Sequence, residues 1–157
     1  MKLLAYVAGP YRDKRGHFGV SLNIQRATMV AMKLRQQGYA VFCPHCNTAH
    51  QDGLIPDEQF IEEDFCFLEN CAVCFIVPNM PGYTKVEESK GTMREIQFCH
   101  DHAIPVVSVH CSNGVIILPD EWRYGDERNR FYSILSREYI DGGVPESAGE
   151  ICADAGQ

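Results

Sequence analysis

The sequence predicts an α/β fold, with a mainly parallel sheet and helices on both of its faces. Three observations carry that expectation. Short apolar runs alternate with longer amphipathic stretches in the order β-α-β-α-β-α-β, followed by a further β-α. The run Ala72–Val77 (AVCFIV) is apolar throughout and rich in β-formers, as suits a central strand covered on both faces. The first three apolar runs also stop at turn formers: Gly9-Pro10, Pro44 and Pro78.

Taken in order, Lys2–Val7 (KLLAYV) reads as a buried strand that ends in a loop. Ser21 is placed to cap a helix running to about Gln37. Its apolar residues Leu22, Ala27, Val30, Ala31 and Leu34 keep helical spacing, and Gly38 is a good stop. Tyr39–Phe42 is a second short strand, and Cys43–Pro56 reads as polar loop. Asp57 opens a helix to about Asn70, and Ala72–Val77 is the third strand. A loop carrying Pro78, Pro81 and Gly82 leads to a helix over Thr92–His102, and Pro105–Val109 is the fourth strand. Gly114–Leu118 is expected as a fifth strand and Glu127–Tyr139 as a last helix.

A chain of 157 residues holds one domain, expected over 1–140, with a Gly-, Ala- and acid-rich tail over 141–157. Lys and Arg number 14 against 21 Asp and Glu, a formal charge of −7. Nucleic-acid affinity comes mainly from Lys and Arg, so this balance argues against a nucleic-acid binder. No apolar run approaches the ~18–20 residues of a membrane span. Met1–Val7 is short for a signal peptide, so a cytoplasmic setting with reduced cysteines is expected.

In such a sheet, ligands bind beyond the carboxyl ends of the strands. The loops to inspect are Gly9–Arg12, Cys43–His50 and Pro78–Gly91. Glu95 follows Ser89-Lys90-Gly91-Thr92 into a helix, and Thr92, Glu95, Ile96 and Cys99 share one helical face. Glu95 is thus a candidate inward carboxylate, or else a first-turn residue serving its own helix. Asp64 falls among Phe60, Ile61, Phe67 and Leu68, on the apolar stripe of its helix. A buried carboxylate is costly unless paired or hydrogen-bonded, so Asp64 is either satisfied by backbone or held there for chemistry. Two inward carboxyls at one crevice suit glycosidic chemistry, one attacking or stabilising the sugar and the other handling protons. Arg12, Ser89 and Gly91 offer a charged fork, a hydroxyl and backbone N–H groups to a phosphate.

Cys43-Pro44-His45-Cys46 is a CxxC after a strand, a pattern used by thiol oxidoreductases. Redox pairs normally open a helix, whereas the residues after Cys46 read as loop. With Cys71/Cys74 it forms a second superficial pattern, CxxC…CxxC, suited to zinc. However, Cys74 lies inside a strand, where residues three apart face opposite ways.

Several segments together resemble the nucleoside 2-deoxyribosyltransferase superfamily. They are Val7-Ala8-Gly9-Pro10-Tyr11-Arg12, then Asn23-Ile24, then Gly38-Tyr39-Ala40-Val41-Phe42-Cys43-Pro44-His45, and finally Ser89-Lys90-Gly91-Thr92-Met93-Arg94-Glu95-Ile96. The likeness covers about residues 1–110 and is nearest the small phage-type members and the nucleoside 5′-monophosphate N-glycosidases. It implies a flavodoxin-like, Rossmann-like three-layer sandwich with a five-stranded, mainly parallel sheet. It also implies a homodimer or larger assembly, with Trp122–Tyr139 a source of partner contact, and chemistry that needs no cofactor or metal. Glu95 takes the nucleophile's position in Ser-x-Gly-x-x-x-Glu, and Asp64 that of the orienting or protonating acid. Arg12 with Ser89 and Gly91 takes the 5′-phosphate pocket, Tyr11 the sugar or base side, and His45 the base side. The sequence departs from the pattern at Ala72, where an aspartate is expected. The function so implied is cleavage of a (deoxy)nucleoside 5′-monophosphate to free base and (deoxy)ribose 5-phosphate. Three alternatives stand beside it: a deoxyribosyltransferase exchanging bases, a nucleotide-binding module without catalysis, and a zinc- or thiol-dependent protein using CPHC.

Overall fold

Four parallel strands form the sheet in the computed structural model, which describes residues 2–122. They are β1 (Leu4–Ala8), β2 (Ala40–Phe42), β3 (Val73–Ile76) and β4 (Val106–Ser108), in the order β2-β1-β3-β4. All three pairings are parallel. This is the flavodoxin-like strand order, and its switch point lies between β1 and β3. The expected last helix, Glu127–Tyr139, and the expected tail lie outside the described residues, as does most of the expected partner-contact segment.

Strand alternation divides the core between two layers. Tyr6 and Ala8 of β1 and Cys74 and Ile76 of β3 join Leu68, Cys99 and Ile104 beneath helices α3 (Asp57–Leu68) and α4 (Lys90–Asp101). On the other face, Phe75 meets the rings of Tyr39 and Trp122 edge-on. Helix α1 (His17–Gln36) buries Ala27, Val30, Ala31 and Leu34 and packs on β1 and β2.

Four boundaries differ from the sequence reading. Helix α1 starts one turn before Ser21, because Asp13 organises the preceding turn. The Asp13 carboxylate accepts from the Arg15 N–H at 2.8 Å, and Gly16 takes the positive φ of 65° at the helix cap. The stretch after Cys43 is not all loop: Pro44–Asn47 forms a one-turn helix, α2, with Pro44 at its first turn, where no N–H is needed. Helix α4 starts at Lys90 rather than Thr92, because Ser89 caps it and accepts from the Thr92 N–H at 3.2 Å.

The fourth difference concerns the expected fifth strand. Among the described residues the parallel sheet has four strands, not five. The Gly114–Leu118 run instead supplies β6 (Val115–Ile117), which pairs antiparallel with β5 (His110–Ser112) in a separate hairpin. Asn113 and Gly114 form its turn with φ of 50° and 75°, and Asn-Gly is the residue pair such two-residue turns select.

A buried polar network draws the loops after β1 and β3 together. The Asn23 amide of α1 donates to the Tyr11 carbonyl at 3.1 Å and to the Thr84 hydroxyl at 3.0 Å. Arg26, fully buried, donates to the Pro78 carbonyl at 3.2 Å and to Asn23 Oδ1 at 3.1 Å. Gly9 is needed where the two loops approach, since a Cβ there would lie 2.5 Å from Val77 Cγ2.

Candidate active site

A cavity of about 410 Å³ opens at the carboxyl edge of the sheet, and the eight site residues expected from sequence all line it. Gly9, Tyr11 and Arg12 come from the loop after β1, and His45 from α2. Asp64 comes from α3, Ser89 caps α4, and Gly91 and Glu95 belong to α4. The apolar side chains of Phe60 and Ile61 complete one wall.

Glu95 is the most enclosed of the carboxyls. With Thr92 and Cys99 it forms the buried face of α4, as the helical spacing predicts. Its Oε1 accepts a 2.5 Å hydrogen bond from the Tyr6 hydroxyl, which reaches it from the middle of β1. Burial pushes the Glu95 carboxyl up to about 8. The Tyr6 hydrogen bond works against that shift, and the charge of Asp64 adds to it. Tyr6 itself titrates well above its ordinary range, first because it is buried and then because Glu95 is beside it.

Asp64 is half-buried, and among the described residues no hydrogen bond or ion pair engages it. Burial raises it to about 7, with a further push from Glu63. Its helix is fixed by two aromatic stacks: Phe65 on Phe98 of α4 at 4.5 Å and Phe67 on Phe42 of β2 at 4.0 Å. The backbone satisfaction considered for Asp64 is therefore not found; the carboxyl is raised towards neutral pH instead.

His45 is buried, and its Nε2 lies 2.9 Å from the Pro10 carbonyl. A carbonyl can only accept, so Nε2 carries the proton and Nδ1 is left as a bare acceptor. Burial lowers the imidazole to about 4, so the ring is neutral at pH 7. Its ring centroid lies 5.9 Å from that of Tyr11.

The outer cavity carries a feature the sequence reading missed. Arg12 is exposed, and its guanidinium makes a two-pronged bond to Asp57, through Nε at 3.2 Å and Nη2 at 2.6 Å. Its Nη1 binds Asp52. Asp52 also accepts from the Tyr11 hydroxyl at 2.9 Å. The lining thus sets Asp52, Asp57, Asp64, Glu88 and Glu95 against only Arg12 and Lys90. Ser89 is likewise engaged, accepting from both the N–H and the hydroxyl of Thr92, which leaves it one proton to give. Gly91 needs no special backbone: it sits in α4, and an added Cβ would make only ordinary contacts, the nearest at 3.7 Å.

Ala72 precedes β3 at the amino edge of the sheet, where its N–H donates to the Leu4 carbonyl at 2.8 Å. The aspartate expected there would stand at the opposite edge from the cavity. Among the described residues, no three His, Cys, Asp or Glu side chains gather as metal ligands. No helix among them is long and apolar enough to cross a membrane.

No protein-family model matches the chain, and no curated protein matches it by sequence. In fold it is similar to the 2-deoxyribosyltransferase of the psychrotolerant bacterium Bacillus psychrosaccharolyticus, with a TM-score of 0.49 and 16% identity, covering 67% of this chain and 70% of that one. It is also similar to a 2-desoxiribosyltransferase from Leishmania mexicana, with a TM-score of 0.46 and 7% identity, covering 90% of this chain and 99% of that one.

Proposed function

We propose that the protein cleaves the N-glycosidic bond of a (deoxy)nucleoside through a covalent glycosyl–Glu95 intermediate. The observation that carries this reading is the pairing of two raised carboxyls, Glu95 and Asp64, in one cavity with an apolar wall. The motif likeness at Ser89–Ile96 points the same way.

In this mechanism a Glu95 oxygen attacks C1′ while the base departs with the bonding electrons. Asp64, protonated in good part near pH 7, gives its proton to the leaving base. Tyr6 holds Glu95 Oε1 and favours its ionised form, leaving Oε2 to attack. Phe60 and Ile61 offer the base an apolar face, and the neutral His45 ring adds no charge there. Water attacking C1′ then releases the sugar, or a second base attacks and the reaction is a transfer.

A 5′-monophosphate is the second substrate reading, favoured by Arg12 in the cavity wall. Its cost is visible in the same place: a phosphate must displace Asp57 or Asp52 from Arg12 and enter an acidic lining. Nucleosides should therefore be turned over at least as well as their 5′-monophosphates. The test is incubation with paired nucleosides and monophosphates, with and without an added free base, following released and exchanged base by chromatography. Base release or exchange that vanishes in Glu95→Gln supports the reading. A folded protein that releases no base from any of them sinks it and leaves the binding-module alternative.

A further inference from the structure

The CPHC segment has a geometry that the proposed chemistry does not use. Cys43 is buried and caps α2, while Cys46 is exposed one turn later, its N–H donating to the Cys43 carbonyl at 3.0 Å. Three positions apart across that turn, the two side chains are neighbours. Helix α1 packs alongside, bringing the Thr28 hydroxyl to 3.4 Å from Cys46 Sγ and the Arg35 charge within reach. The pair spans the single helical turn Pro44–Asn47 instead of lying in open loop. A buried thiol, an exposed sulfur one turn from it, and a neighbouring hydroxyl and cation are the parts of a reactive thiol pair.

We propose that Cys43 and Cys46 form a two-cysteine redox centre that reacts with hydroperoxides, Cys46 as the nucleophile and Cys43 as the resolving thiol. The electrostatics agree with these roles. The neighbouring Cys43 thiol lowers Cys46 to about 6, assisted by Thr28 and Arg35, while Cys46 together with burial pushes Cys43 upward. In the first step the Cys46 thiolate attacks a peroxide oxygen. An S–O bond forms, the O–O bond breaks, and hydroxide leaves to become water. In the second step Cys43 sulfur attacks Cys46 sulfur. The S–S bond forms as the S–O bond breaks, and the Cys43 proton leaves with the hydroxide as water. Two thiols are oxidised by two electrons, and hydrogen peroxide becomes two waters. The centre does not depend on the glycosidic reading, although Pro44 and His45 between the cysteines line the cavity.

The test uses the full chain. A short iodoacetamide pulse at mildly acid pH is followed by mass spectrometry of each cysteine, with exposed Cys66 as internal reference. Cys46 should react at least about fivefold faster than Cys66, the advantage left once greater thiolate content is offset by lower intrinsic nucleophilicity. Stoichiometric hydrogen peroxide should give a Cys43–Cys46 linked peptide that dithiothreitol reverses. In Cys43→Ser the product should become a trappable Cys46 sulfenic acid. Should that variant fail to fold, the wild-type measurements decide alone. Equal alkylation of Cys46 and Cys66, or peroxide treatment that yields no linked peptide, overturns the proposal. A link formed by oxidised glutathione but not by peroxide overturns the oxidant assignment.

Discussion

Two pairs of carboxyl groups line one cavity under different conditions. Asp57 is exposed and Asp52 partly so, and the two share the guanidinium of Arg12. Asp64 and Glu95 have no ion pair among the described residues, and burial raises both towards neutral pH. The outer pair is occupied with holding a loop and a helix start against Arg12. The inner pair keeps protons that can move. Residue type alone would rank the four alike; depth and partner separate them.

The largest effect expected from breaking this contrast is at Glu95. Glu95→Gln should lower base release by at least ~10³-fold, because the covalent step loses its nucleophile. The same variant should be more stable than wild type at alkaline pH. The folded carboxyl titrates near 8, against 4.5 for an ordinary Glu, so the folded state holds a proton that the unfolded chain gives up between those values. Stability therefore falls as pH rises from about 4.5 to about 8, and removing the charge should restore up to about 4 kcal/mol at pH 8.5 but little at pH 4. Thermal melts of the two proteins at both pH values check the sign.

Asp64→Asn comes next, with base release expected to fall about 10²-fold as the leaving base loses its proton donor. Bases that leave readily without a proton should suffer least. In the wild type, the requirement for ionised Glu95 and protonated Asp64 should give a bell-shaped rate profile with its maximum between about 7 and 8.

Tyr6→Phe sharpens the comparison from within the deeper pair. The Tyr6 hydrogen bond lowers Glu95, and Glu95 titrates above Asp64, so loss of the bond should move the falling limb and the maximum of the rate profile to higher pH. About tenfold in rate at pH 7 is expected, with partial recovery at pH 9. A merely structural role for Tyr6 would lower the rate without moving the limb.

The smallest effect is expected at the outer pair. Arg12→Ala should cost under about 1 kcal/mol of stability, since exposed ion pairs contribute little. Nucleoside turnover should change less than about threefold. A large loss confined to 5′-monophosphates would restore the phosphate reading and with it a different role for Arg12.

Much of this arrangement is legible in the sequence, for a definite reason. The loops after parallel strands converge at the switch point, so residues assigned to those loops meet in space. Glu95 and Asp64 are read from helical spacing, which the structure keeps. Tyr6 escapes because it looks like one more ring in an apolar strand, and its partner lies 89 residues away. Asp52 and Asp57 escape because a polar loop and a helix start give ordinary reasons for acidic residues, while their cation is 40 and 45 residues distant. Two misses were local. Asn113-Gly114 carries a hairpin signal, and Pro44 after a strand fits the start of a helical turn as well as a loop.

The ties made by Asn23 and Arg26 bear on how a ligand is received. They fasten the Tyr11 carbonyl, the Thr84 hydroxyl and the Pro78 carbonyl to a single helix. The ordering entropy of these two loops is met when the chain folds rather than when a ligand arrives. An incoming molecule therefore meets a mould and not a closing hand. It must fit the space between the loops as it stands, and selectivity there works by exclusion, at little cost in affinity for whatever does fit.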